Sequence, residues 1–186
     1  MIELYEKVES TNDLALEAAD RGAEAGRCWV ADHQTKGRGQ RNRDGERNRW
    51  FSPPDANIYA SLLLRPDLEP SRASAMSLAA GVALAGAIES RGEVELWIKW
   101  PNDLYIGERK LAGILTEAST ADGELSAVVV GFGLNVNATE EQFEGELAGR
   151  ATSLRAETGR RWDRMGLSLE IRRRLLVVRS PERESV

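Results

Sequence analysis

The chain is short of the residues on which several kinds of site depend. Cys28 is its one cysteine, which excludes an intrachain disulfide and any zinc site built on several thiolates. His33 is its one histidine, so neither a histidine-rich metal site nor a relay between two histidines can form. No apolar stretch reaches the ~18 residues that a bilayer-spanning helix needs. The N-terminal MIELYEKVES is too acidic, and its apolar run too short, for a secretion signal. No membrane and a reducing cytoplasm are therefore expected. The familiar phosphate cradles are missing as well: there is no GxxxxGK[ST], no GxGxxG opening a helix after a strand, and no GxSxG or HExxH. Any nucleotide has to be held in another way.

What is present fits one domain. A chain of 186 residues, 41% hydrophobic and 30% charged, is long enough to bury a core without staples. Its net charge of −5 carries no nucleic-acid signature. The distribution says more than the total. Lys36 to Arg49 holds six basic and two acidic residues, a local 6 − 2 = +4 inside an acidic protein, which points to an anion site.

Residues 2–8 read as a strand. Ser10, with Asp13 three positions on, reads as the cap of a helix whose apolar face is Leu14, Ala15, Ala18 and Ala19 and which Gly22 ends. Strands are expected at Arg27–His33 and Asn57–Leu64, with a Gly- and Arg-rich loop over residues 35–49 between them. Ser71–Ser90 is too long for a strand and reads as a buried helix. Val94–Trp100 reads as a strand closed by turn chemistry at Pro101-Asn102-Asp103. Lys110–Thr116 and Leu125–Val136 read as strands around a turn at Asp122-Gly123. The remainder is helical, with a terminal amphipathic helix and tail over residues 163–186. Several successive strands lack an intervening helix, so the expected class is α+β: a mixed, mainly antiparallel sheet flanked by helices.

Several residues could carry chemistry, and each also has a plainer reading. The stretch KGRGQRNRDGERNRW supplies glycine freedom at Gly37, Gly39 and Gly45 and planar donors at Arg38, Arg41, Arg43, Arg47 and Arg49. It is either a segment that folds over an anionic ligand or a solvated surface loop. Lys110 opens the apolar strand KLAGIL, where alternation places it on the face of Ala112 and Ile114; it either snorkels or faces a pocket. Lys99 is either a second functional cation or the polar side of a strand. Gly113 marks close approach of a ligand or of backbone. GFGLNVN, ending the apolar strand at Gly131–Asn137, is a strand bulge or a site. Cys28 and His33 read as residues in or beside the core, and Trp29, Trp50, Trp97 and Trp100 as core or pocket walls.

Each signal is weak alone, but together they are not. STN at Ser10, QTKGRG at Gln34, WFSP at Trp50, NIYASLLL at Asn57, KWPNDLY at Lys99, RKLAGIL-x-E at Arg109 and G-x-G-x-N-V-N at Gly131 occur in this order. The chain thereby resembles the catalytic domain of biotin–protein ligases from about Glu6 to Asn137. The resemblance implies the sheet-and-helix fold shared with class II aminoacyl-tRNA synthetases. It also implies a two-step reaction, in which the biotin carboxylate attacks the α-phosphate of ATP with Mg²⁺, and a lysine of a biotin carboxyl carrier domain then takes the biotinyl group. By similarity, Lys110 and Arg38 would be catalytic, and the biotin site would comprise Ser10, Thr11, Asn12, Gln34, Gly37, Arg38, Gly39, Gln40, Trp50, Lys110, Gly113 and Leu115. Arg41, Asn102, Asp103 and Asn135 would lie toward the nucleotide.

Gln40 stands where the family motif usually has arginine, and residues 44–46 lengthen the stretch before Trp50. The sequence carries no N-terminal helix-turn-helix, so no DNA partner is expected, and it stops where the family continues into a small β-barrel. A monomer or homodimer is expected. Two other classes remain open: a lipoate or octanoate ligase of the same superfamily, and a non-enzyme. The latter would be a biotin binder without transfer, or an RG-rich nucleic-acid binder, against which the acidic total speaks.

Overall fold

A computed structural model describes residues 1–41, 45, 47–73, 75–121 and 123–178. Its centre is a seven-stranded sheet in the order β1-β2-β5-β9-β8-β7-β6. The strands are β1 (Ile2–Val8), β2 (Cys28–Gln34), β5 (Ile58–Leu64), β6 (Trp97–Lys99), β7 (Asp103–Ile106), β8 (Arg109–Ala121) and β9 (Glu124–Leu134). Only β1 and β2 pair in parallel, joined by α1 (Thr11–Asp20); the other five pairings are antiparallel. A second ribbon pairs β3 (Arg38–Arg41) with β4 (Arg47–Arg49), Arg38 opposite Arg49. The helices are completed by α2 (Ala75–Glu89), the short α3 (Leu154–Thr158) and α4 (Arg164–Val178). This is the mixed, mainly antiparallel α+β arrangement that the sequence implies.

Both faces of the central strands are covered, which is why β5 reads as an apolar run broken only by Ser61 and is buried at every position. On one face α1 sets Ala15 and Ala19 against Trp29, Leu63, Ala127 and Val129. On the other, α2 and α4 bring Leu84, Ile88, Leu167, Ile171 and Leu175 onto Ile58, Ala60, Leu62, Val128 and Val130. Cys28 belongs to this second core, and burial pushes its thiol up to about 12, leaving it an inert packing residue.

Four expectations need correction. The 35–49 stretch is not simply a loop, since its described residues include β3 and β4. Trp97 and Trp100 wall neither core nor pocket: they are 58% and 78% exposed, in and just after β6, the short strand at the edge of the sheet. The glycines of GFGLNVN make no bulge, as β9 stays in register with β5 and β8 from Val128 to Leu134. Ser10 holds the cap position of α1, but its side chain makes no capping bond. Residues 179–186 of the tail and Asp122 of the turn lie outside the described residues. No described helix is long and apolar enough to cross a membrane.

Candidate active site

The α1-side face of the sheet is not packed along its whole length. Successive side chains on a strand point to opposite faces, so Ala127, Val129, Gly131 and Gly133 share one side of β9. The first two pack on α1, while the glycines make room for side chains that come from outside the sheet. A Cβ on Gly131 would overlap the Asn12 carboxamide, and one on Gly133 or Gly113 would overlap the Trp50 indole. These three glycines form the floor of a cavity of about 550 Å³.

The first residues of α1 line the cavity at one end. Gln34 Oε1 accepts from the Thr11 backbone N–H at 2.9 Å and from its hydroxyl at 3.2 Å. The buried Ser61 hydroxyl lies between Thr11 Oγ1 at 2.8 Å and Asn12 Oδ1 at 2.5 Å. Asn12 Nδ2 donates to Glu117 Oε2 at 2.8 Å and to the Leu115 carbonyl at 3.3 Å. The result is a compact polar wall in fixed orientation. Arg38, Gly39, Gln40, Asn48 and Arg49 of the β3–β4 ribbon form an adjoining wall. The Asp13 carboxylate, against the opposing effect of burial, holds the Arg38 guanidinium above its ordinary value.

Lys110 also lines the cavity, but not for the reason alternation suggests. The β7–β8 register pairs Leu104 with Ala112 and Tyr105 with Lys110, so Leu111 is an extra residue there. The shift buries Leu111 in the core beside Ala112 and turns Lys110 away from their face. Its ammonium pairs with Asp103 at 2.7 Å and lies over the Trp50 ring at 5.4 Å from the centroid. Two buried polar atoms here, Trp50 Nε1 and Asp103 Oδ1, have no hydrogen-bond partner among the described residues. Such atoms are costly to leave unpaired unless something else fills the site.

The backbone of Lys110 is bonded to the segment forming the other end: Lys110 N donates to the Arg150 carbonyl at 2.8 Å, and Thr152 N to the Lys110 carbonyl at 2.9 Å. That end is apolar, with Phe51, Phe143, Leu147 and Ala151 around it and the two phenyl rings 5.6 Å apart. Arg150 and Arg49 are exposed at its rim, neither with a side-chain partner among the described residues.

Of the residues expected at the site, Ser10, Thr11, Asn12, Gln34, Arg38, Gly39, Gln40, Trp50, Asn102, Asp103, Lys110, Gly113, Leu115 and Asn135 all border this one cavity. Gly37 borders a neighbouring hollow, where its carbonyl accepts from Trp50 N at 2.9 Å. Arg41 is on β3, but its side chain, like Arg43, lies outside what is described. Lys99 is not a second site cation; its ammonium sits over the Tyr105 ring at 5.0 Å. Phe143 belongs to the site without any motif to mark it, whereas Ser61, Glu117 and Phe51 stand inside NIYASLLL, RKLAGIL-x-E and WFSP, Gly131 opens GFGLNVN, and Asp13 carries the spacing of a helix cap. No group of three or more His, Cys, Asp or Glu fit to hold a metal is present among the described residues.

Comparison with known proteins agrees with this geometry. The profile of the biotin/lipoate A/B protein ligase family matches residues 4–135. The bifunctional ligase/repressor BirA of Bacillus spizizenii is 38% identical over 160 residues, covering 86% of this chain and 48% of that protein. The biotin–[acetyl-CoA-carboxylase] ligase of Paracoccus denitrificans is 37% identical over 133 residues, covering 70% of this chain and 52% of its own. Among solved structures, the biotin protein ligase of Aquifex aeolicus in complex with biotin and ATP superposes with a TM-score of 0.78 at 33% identity, over 95% of this chain and 68% of that one. The chain spans about half the length of the curated relatives it matches. With the profile covering most of its residues and the same fold in these relatives, the chain belongs to the biotin/lipoate A/B protein ligase family.

Proposed function

We propose that this chain activates biotin with ATP and transfers the biotinyl group to a lysine of a biotin carboxyl carrier domain, in the cytoplasm. The observation that carries this reading is the division of one cavity by Lys110. A polar wall lies to one side of it, an aromatic, apolar end to the other, and the exposed Arg49 and Arg150 at the rim.

The chemistry asks for such an arrangement. A carboxylate oxygen of biotin attacks the α-phosphorus of ATP, the bond to the β-phosphate breaks, and pyrophosphate leaves. Two anions repel as they meet, so a fixed cation at the meeting point lowers the barrier. Lys110, anchored by Asp103 and the Trp50 ring, holds that place. The ureido ring of biotin offers both donors and an acceptor, matched by the hydroxyls and amides of Ser10, Thr11, Asn12 and Gln34. Phe51, Phe143 and Leu147 suit a planar adenine, and Asn102, Asp103, Asn135 and, on the ribbon, Arg41 are the polar residues assigned to the nucleotide. Mg²⁺ arrives as part of the substrate, on the triphosphate. In the second step the amine of the acceptor lysine attacks the acyl carbon, an amide forms, AMP departs and a proton is released.

The polar wall favours biotin over lipoate, whose dithiolane ring offers it no hydrogen bonds. The test is to supply ATP with either acid and assay acyl-adenylate. Biotin is expected to be activated at least about 100-fold more efficiently; preference for lipoate or octanoate overturns the reading.

A further inference from the structure

Asn57 opens the motif NIYASLLL, stands just before β5 and is only 1% exposed. It is not among the residues that line the cavity, so the ligase reading gives it no task. Its Oδ1 accepts from the backbone N–H of Val136 at 2.9 Å and of Ala138 at 3.4 Å. Two N–H donors can be met only by an oxygen, so the carboxamide has one possible orientation. Its Nδ2 points the other way and donates to Asn135 Oδ1 at 3.3 Å.

That bond decides how Asn135 is turned. Its oxygen faces Asn57, and its amino group lies on the opposite branch. The backbone of Asn135 is committed as well: its N–H donates to the Leu111 carbonyl at 3.0 Å, and its carbonyl accepts from Leu154 N at 3.1 Å. Nδ2 is therefore its one hydrogen-bonding group without a partner among the described residues. Asn135 comes two positions after Gly133, on the same face, and lines the cavity. It lies toward the aromatic end, because Ala138, bonded to Asn57, packs in one cluster with Phe143 and Ala151.

We propose that Asn57 is a positioning residue: it holds the Asn135 carboxamide with its amino group toward the cavity, as a donor to an acceptor atom of the nucleotide. This deepens, and rests on, the ligase reading. Ring nitrogens and phosphate oxygens both accept hydrogen bonds, whereas the reversed amide would set its own oxygen against them. A donor already held in place also loses little freedom when the nucleotide binds.

The experiment reverses the amide. In Asn57→Asp the carboxylate still accepts from Val136 and Ala138 but has no hydrogen to give, so Asn135 turns its Nδ2 to it and its oxygen to the cavity. Biotin-dependent exchange of pyrophosphate into ATP is measured for the full chain, Asn57→Asp, Asn135→Ala and the double variant, each shown to be folded by circular dichroism. The KM for ATP is expected to rise roughly tenfold in Asn57→Asp, while that for biotin stays within about twofold. In the Asn135→Ala background the same substitution is expected to add less than about twofold, since it acts through Asn135. Should Asn57→Asp not fold, Asn57→Ala takes its place in the cycle, with a rise of several-fold expected. Adenosine, which has base and ribose but no phosphate, is run as a competitor of ATP. Given the raised KM, weaker competition in Asn57→Asp assigns the acceptor to the nucleoside and unchanged competition assigns it to a phosphate, and either bears the proposal out. An unchanged KM for ATP, equal losses for ATP and biotin, or an undiminished effect without Asn135 overturns it. If the unsubstituted chain shows no biotin-dependent exchange, the ligase reading fails, and calorimetric titration of the same variants with ATP decides the role of Asn57.

Discussion

Two stretches of one strand face make the most instructive comparison in this molecule. On β9, Ala127 and Val129 press against α1 and build a core, while two and four residues further on Gly131 and Gly133 build a cavity. Backbone, register and neighbouring strands are the same in both. The site is thus made by omitting side chains from a sheet that would otherwise be sealed, and the omitted volume is filled from outside by Asn12 and Trp50. Rigid strands define the floor, and substrate-facing groups come from the elements around it, an arrangement that gives precise placement without sacrificing the core.

Restoring a side chain to the open half should produce the largest effect. Gly133→Val is expected to displace the Trp50 indole, fill the floor and weaken biotin binding at least about 100-fold, measured by titration calorimetry, with the circular dichroism spectrum unchanged. Removing one from the packed half should do the reverse. Val129→Ala is expected to cost about 2 kcal/mol in denaturant unfolding and leave biotin affinity within about twofold. Affinity loss in the second variant comparable to the first would end the distinction between the halves.

The smallest expected effect lies away from both. Asp32 accepts from Arg164 at 2.6 Å and from Asp55 N at 2.9 Å; burial pushes its carboxyl up, but these donors outweigh it and hold it below the usual carboxylate value. A lowered folded value stabilises the native state above the unfolded pKa of about 4, and that contribution is lost as pH falls through the folded value. Arg164→Ala is therefore expected to lower the melting temperature by roughly 2–4 °C at pH 7, with the gap closing below about pH 4. A gap constant down to pH 2 would contradict this.

The same contrast explains what was legible in the sequence. The packed half announces itself: NIYASLLL and the run before Gly131 are apolar in the way that strands covered on both faces must be, so strands and fold class followed directly. Fourteen of the residues that line the cavity were reachable through motif order, since each motif sits where an element ends or opens onto the floor. Three things were not reachable. The extra residue at Leu111, which reverses the facing of Lys110, depends on pairing with β7, a four-residue strand too short to read. Asp13 and Ser10 carry a genuine local capping pattern, and only the tertiary neighbour Arg38 diverts it. The edge position of β6, which exposes Trp97 and Trp100, follows from strand order, and composition holds no record of that.

The central claim is that Lys110 is the cation at which biotin and ATP meet. It is tested most directly by biotin-dependent exchange of labelled pyrophosphate into ATP, comparing the chain with Lys110→Ala. The chain should catalyse exchange only when biotin is present, and the folded variant should lose it by a factor of roughly 100 to 1,000. Exchange at an undiminished rate in Lys110→Ala would contradict the account.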